Sequence, residues 1–144
     1  MRFNACAHTY DEHAGPQWFF AERVARFVGA KREETILELG AGTGALTQNL
    51  VGTPNSGSAA SAPQRADSLI GAPVLATDGS PAMVERGRLA VPQARWSVLD
   101  AFHSPLPVAA LQVSSGLLHW ADDPAAMLAR WKTFLAPGGR MVHA

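Results

Sequence analysis

The chain contains one cysteine, Cys6, in 144 residues. A lone thiol cannot build a disulfide framework within one chain, which fits a reducing compartment. Excess charge is also lacking: 12 basic and 12 acidic residues cancel to a formal net charge of zero, and the arginines are scattered. With no broad basic field, nucleic acid is not an expected partner, and nothing marks a membrane surface. No apolar run approaches the ~20 residues of a membrane span. The opening "MRFNACAHTYDEHAG" lacks the apolar middle of a signal peptide, and its acids argue against an organelle transit peptide. A cytoplasmic protein is therefore expected. No metal is expected either: Cys6, His8 and His13 lie close together, but no second ligand pair follows.

Hydrophobic residues make up 47% and charged residues 17%, an ordinary globular balance, and the length predicts one domain, 1–144, with one core. Residues 1–15 are polar and mixed. "PQWFFAERVARFVGAKREE" predicts a helix with Pro16 in its first turn, Phe20, Val24, Phe27 and Val28 at helical spacing, and Gly29 as its stop. "TILEL" (35–39) predicts a short buried strand, and "TGALTQNLV" (43–51) a helix that starts at the glycines. Residues 52–73, dominated by serine, proline and small residues, read as a flexible surface insertion. Three further strands are predicted: "VLAT" (74–77), "RWSVLD" (95–100) and "LQVSS" (111–115). Ser80 caps the helix after the first of these, and Pro81 opens it. "DDPAAMLARWKTFLAPGG" predicts a helix capped by Asp123 and opened by Pro124. Met127, Leu128, Trp131, Phe134 and Leu135 form its apolar stripe, and Pro137-Gly138-Gly139 ends it. "RMVHA" then begins a fifth strand. This alternation implies an α/β fold with a parallel sheet and helices on both faces.

The stretch "ILELGAGTGALT" (36–47) puts three glycines between a strand and a helix start, where bare backbone and free amides make a ligand site. No Gly-Lys-Ser/Thr follows, which excludes a P-loop. Gly40-Ala41-Gly42-Thr43-Gly44-Ala45 does satisfy the dinucleotide fingerprint, which tolerates alanine at its last position. Glu38 argues against that reading, because a carboxylate two positions before Gly40 repels a pyrophosphate and attracts a cationic ligand. Asp78, at the next strand end, suits ribose hydroxyls, with helix capping as its other reading. Asp100 suits an adenine amino group, or is an ordinary strand-end acid. Ser114 and Ser115 lack triad neighbours. His119 and Trp120 read either as packing residues or, for His119, as a base.

"ELGAGTG" (38–44), "ATDGSPAM" (76–83) and "WKTFLAPGG" (131–139) resemble the motifs of the class I S-adenosylmethionine-dependent methyltransferases. More narrowly, "FNACAHTYDEHAGPQ" (3–17) and "VSSGLLHWADDP" (113–124) are similar to segments of the malonyl-[acyl-carrier protein] O-methyltransferases of biotin synthesis. The resemblance implies a Rossmann-like, mostly parallel sheet whose last two strands are absent here, an N-terminal cap segment 1–15, and S-adenosyl-L-methionine as cofactor. It implies that Glu38, Gly40, Gly42 and Gly44 hold the methionine end, that Asp78 binds ribose, and that Asp100 with Ala101 flanks adenine. Ala41, Gly79 and Ser115 belong to the same cofactor-binding set. Tyr10 would line the methyl-transfer pocket, with His119 as the second candidate catalytic residue. The implied acceptor is the free carboxylate of a malonyl thioester on acyl-carrier protein. Another small-molecule acceptor, or a cofactor-binding domain without turnover, stays open, as does the oligomeric state. Two residues depart from the family pattern: Ala110 stands where an aspartate is usual, and His119 replaces the usual glutamine.

Overall fold

The computed structural model describes residues 15–31, 33–51 and 73–144. The expected cap segment 1–15 with Tyr10, and the expected insertion 52–73, lie outside the described residues except for the last residue of each. In chain order the elements are α1 (Gly15–Val28), β1 (Ile36–Leu39), α2 (Ala45–Val51), β2 (Val74–Asp78), α3 (Pro81–Ala90), β3 (Arg95–Val98), β4 (Ala109–Ser114), α4 (Pro124–Lys132) and β5 (Leu135–His143). One 3-10 turn, Leu118–Trp120, lies between β4 and α4. No helix among the described residues is long and apolar enough to cross a membrane.

The five strands are all parallel and run in the order β3-β2-β1-β4-β5. The chain builds outward from β1 to β3, then crosses back to place β4 on the other side of β1. Strand order therefore reverses between β1 and β4, and the loops leaving those two strands splay apart into a crevice. Alternate residues of the central strands face opposite layers. On one face Ile36, Val74, Leu111 and Val113 meet Ala21, Val24, Ala25 and Val28 of α1 and Leu46, Leu50 and Val51 of α2. On the other, Leu37, Leu39 and Ala109 pack with Trp131 of α4, which is 0% exposed.

The caps form where local chemistry predicts them. Ser80 Oγ accepts the Met83 N–H at 3.3 Å, and Asp123 accepts the Ala126 N–H at 3.0 Å, each with proline opening the helix behind it. Gly29, at φ +50°, follows the last residue of α1.

Two expectations need correction. Phe20 and Phe27 are not on the buried face of α1; they are 59% and 82% exposed. The buried face instead carries Ala21 and Ala25 between Val24 and Val28, since small side chains let α1 lie close on α2. The last helix also ends earlier than Pro137-Gly138-Gly139 implied. The N–H groups of Thr133 and Phe134 reach back to the carbonyls of Arg130 and Trp131, closing α4 at Lys132. Leu135 then starts β5, so neither it nor Phe134 is helical. The Pro-Gly-Gly sits in an irregular stretch of β5, where the register slips between Ala109–Leu135 and Leu111–Arg140. Gly138 there takes φ +73°, and a Cβ on Gly139 would lie 2.8 Å from the Ala136 carbonyl oxygen. The same tripeptide chemistry that stops helices also builds such a bulge.

Arg140 ties β5 to the far end of α1. It meets the Glu34 carboxylate through Nε (3.2 Å) and one terminal nitrogen (2.9 Å), and donates to the carbonyls of Val28 (2.6 Å) and Gly29 (3.2 Å). Arg140→Met is expected to cost about 1–3 kcal/mol in urea unfolding, because the helix-end carbonyls and a half-buried carboxylate lose a charged donor. Arg140 holds the Glu34 carboxyl below its ordinary value of 4.5. The pair's contribution is therefore present above pH 4.5 and is lost as pH falls through the lowered value, a dependence the variant should lack.

Candidate functional site

The crevice at the carboxyl ends of β1 and β4 deepens into a cavity of about 550 Å³. Its floor is the turn after β1. Gly40 (φ +66°) and Gly42 (φ +57°) take left-handed conformations that side chains disfavour. The turn is strapped to the end of β2. The Ala41 N–H donates to the Thr77 carbonyl at 2.8 Å, the Gly42 N–H donates to Asp78 Oδ2 at 2.9 Å, and Thr77 Oγ1 donates to the Glu38 carbonyl at 2.7 Å. Bareness at Gly40 also serves packing, since a Cβ there would lie 2.8 Å from Leu117 Cδ1, in the loop after β4.

Three acids line the cavity and differ in environment. Glu38 projects from β1 toward α2, is 2% exposed, and accepts the Thr47 hydroxyl at 2.7 Å. Burial pushes its carboxyl from 4.5 up to about 8; the Thr47 hydrogen bond opposes the rise and the nearby Asp78 adds to it. Asp78 accepts the Ser80 N–H on Oδ1 at 2.8 Å as well as Gly42 on Oδ2, and burial still raises its carboxyl above the ordinary range. It does not cap α3, a place taken by Ser80. Asp100 lies two residues past the end of β3. Burial pulls its carboxyl up, but hydrogen bonds from His103 and the Phe102 N–H outweigh that and leave it below its ordinary value.

The cavity brings together most of the residues expected from sequence. Glu38, Gly40, Ala41 and Gly42 line one end, Asp78 and Gly79 the middle, and Asp100 with Ala101 the other end. Ser115 and His119 lie on the β4 side. His119 is exposed at the rim, its ring centroid 4.9 Å from that of Trp120. Gly44 is the exception. It does not line the cavity, and a Cβ on it would meet Val91 at 3.0 Å and Trp96 at 3.3 Å, so its bareness serves helix-on-sheet packing. Tyr10 lies outside the described residues. Sequence reasoning missed the apolar walls: Phe20, Met83, Leu99, Phe102 and Leu117. Leu99, Phe102 and Leu117 signalled this only by following strand ends, and Phe20 and Met83 lie on helices; apolar residues in either place read equally well as core.

A parallel doubly wound sheet with a glycine turn and carboxyls at its switch point is the arrangement in which α/β folds bind nucleoside ligands. The family described as a methyltransferase domain matches residues 37–141. The chain belongs to that family, the S-adenosyl-L-methionine-dependent methyltransferases with a Rossmann-like fold. It is 31% identical over 144 residues to the malonyl-[acyl-carrier protein] O-methyltransferase of Hahella chejuensis, covering 97% of this chain and 46% of that protein. It is 33% identical over 123 residues to the trans-aconitate 2-methyltransferase of Mycobacterium tuberculosis, covering 83% of this chain and 39% of that protein. The chain thus spans less than half the length of these relatives. Among solved structures, the DhpI–SAM–HEP complex superposes with a TM-score of 0.71 at 25% identity, covering 98% of this chain and 61% of that one.

Glu38 supplies a test of the charge argument. Holding a proton up to about pH 8, it does not by itself repel an anion at neutral pH; a cation placed beside it would drive that proton off. Binding of S-adenosyl-L-methionine at pH 7 is therefore expected to release protons, seen as a buffer-dependent heat in calorimetry, and affinity should climb toward pH 8 and then level. Glu38→Gln should abolish the buffer dependence, and proton-neutral binding by the native chain would contradict this electrostatic account. Because the folded carboxyl titrates above the ordinary 4.5, the same group contributes stability that is full below pH 4.5 and is lost as pH rises through about 8.

Proposed function

We propose that this chain transfers the methyl group of S-adenosyl-L-methionine to the free carboxylate of a malonyl thioester carried on acyl-carrier protein, a cytoplasmic step of biotin synthesis. The observation that carries the cofactor part is the buried Glu38 and the partly buried Asp78 around the strapped glycine turn. The acceptor part rests on similarity to the Hahella chejuensis enzyme along 97% of this chain.

The cavity fits the cofactor in size and chemistry. Its 550 Å³ falls within the ~300–1,000 Å³ of small-ligand sites. Acidic groups meet an ammonium and a sulfonium, and an apolar wall meets a purine ring. Glu38, Gly40, Ala41 and Gly42 would hold the methionine end, and Asp78 with Gly79 the ribose. Asp100 and Ala101 would flank adenine, with Ser115 supporting the chain between. When bound, S-adenosyl-L-methionine supplies a methyl group already activated on sulfur, with a neutral thioether as leaving group.

The protein's work is then alignment and exclusion of water, which suits a wall of Phe20, Leu117 and Trp120. A carboxylate is ionised at neutral pH and needs no base. Tyr10 would line the transfer pocket, and His119, at the rim, would face the acceptor. A second reading, another small-molecule acceptor, is favoured by two observations. One is the likeness to trans-aconitate 2-methyltransferase; the other is His119, which can serve as base for a neutral nucleophile.

Incubation with methyl-labelled cofactor and malonyl-acyl-carrier protein should place label in a base-labile ester. Label on a different acceptor alone favours the second reading, and cofactor binding with no transfer to any acceptor favours a binding domain. Glu38→Gln is expected to weaken cofactor binding about 10–100-fold, the loss of one hydrogen bond to a charged group.

A further inference from the structure

The turn after β3 is held from behind by α4. The indole Nε1–H of the fully buried Trp131 donates to the Ala101 carbonyl at 2.8 Å. The adjacent Arg130 donates to the same carbonyl at 3.1 Å, and with its other terminal nitrogen to the Ser104 carbonyl. The guanidinium is further confined over the Phe134 ring, 5.5 Å from its centroid. Within the turn, the Asp100 carboxylate accepts the Phe102 N–H, and the Asp100 carbonyl accepts the Ser104 N–H, both at 2.9 Å. The Phe102 ring lies 6.1 Å from that of Trp131. Asp100, Ala101 and Phe102 line the cavity; Arg130 and Trp131 do not.

One donor would satisfy the Ala101 carbonyl. Two donors from consecutive residues of a helix, one of them charged, use both lone pairs and stop the peptide plane from rotating. The second arm of Arg130 pins the other end of the turn at Ser104. Site geometry is held to fractions of an ångström by such supports, and a turn free to shift accommodates a wrong ligand as readily as the right one.

We propose that Arg130 and Trp131 are positioning residues for base recognition: by clamping Ala101 and Ser104 they hold Asp100 and Ala101 at a fixed edge, so that the site selects adenine over other purines. This rests on the reading of Asp100 and Ala101 as the adenine-flanking pair.

The test compares dissociation constants of S-adenosylhomocysteine and S-inosylhomocysteine, which carries oxygen in place of the 6-amino group. Native protein should prefer the adenine compound, and Asp100→Asn should narrow that preference. Trp131→Phe, which deletes the N–H donor and keeps an aromatic ring, and Arg130→Met should each narrow it by about 3–10-fold, the worth of one hydrogen bond. Arg130→Lys, which keeps a cationic donor but loses the fork that spans both carbonyls, should restore part of it. If Trp131→Phe fails to fold, the Arg130 pair carries the test, since that side chain is only partly buried. Equal weakening of both ligands, or an unchanged ratio beside a lower Tm, makes the two residues merely structural and overturns the proposal. If Asp100→Asn narrows the preference and neither α4 variant does, only the positioning role fails. If Asp100→Asn leaves the preference unchanged, the adenine assignment fails and the positioning role with it.

Discussion

The hydrogen bond from the Gly42 N–H to Asp78 fastens the loop of one strand to the end of the next, and the rest of the site is arranged about that fastening. A glycine turn alone is floppy, since glycine loses more conformational freedom on ordering than any other residue. Here the cost is offset by three bonds to β2 and by Leu117 closing against Gly40 from the β4 side. The turn is thus gripped by both neighbours of β1. That grip exists because the sheet reverses its order at β1, which puts β2 on one side and β4 on the other.

The same fastening sets the electrostatics. Asp78 must stay near the backbone amides to hold the turn, so it stays near Glu38, which lies beneath α2 out of water. Two carboxyls in a dry pocket cannot both ionise at low cost. The protein tolerates this unfavourable arrangement at the floor of the cavity, and a cation bound beside it would relieve it. Asp100 is built the other way. It is more exposed, and its hydrogen bonds favour the anion, so it stays a ready acceptor at neutral pH. One cavity therefore offers a protonated, cation-responsive end and a fixed anionic end some sixty residues apart in the chain.

The frame behind the cavity does related work. Arg140 links β5 to the end of α1, while Arg130 and Trp131 link α4 to the turn after β3. Each spans a layer boundary and ends on backbone carbonyls, and a guanidinium is suited to that because its donors are fixed in a plane. The α1 aromatic Phe20 lines the cavity in place of filling the core, leaving the close α1–α2 contact to Ala21 and Ala25.

Much of this was legible in the residues. Ser80-Pro81 and Asp123-Pro124 announced two helix starts, because a cap is a bond between a side chain and an amide three positions on, and three positions are visible in one dimension. Glu38, Gly40 and Gly42 announced the turn that floors the cavity for a similar reason: the constraint is local backbone shape. What failed were residues whose meaning depends on a distant neighbour. Pro137-Gly138-Gly139 stops a helix or bends a strand according to whether β4 lies beside it. Gly44 faces Trp96 and Val91 and turns away from the cavity only because α3 and β3 pack there. The protonation of Glu38 depends on its burial beneath α2 and on the nearby Asp78, which together outweigh the opposing Thr47 hydrogen bond. Sequence alone determined the order of strands and helices, the glycine turn and the acids at its rim, all set by near-neighbour chemistry. Only tertiary structure decided which glycines line the cavity, which carboxyl keeps its proton and which helix steadies the turn after β3, because burial and packing are properties of groups brought together from far along the chain.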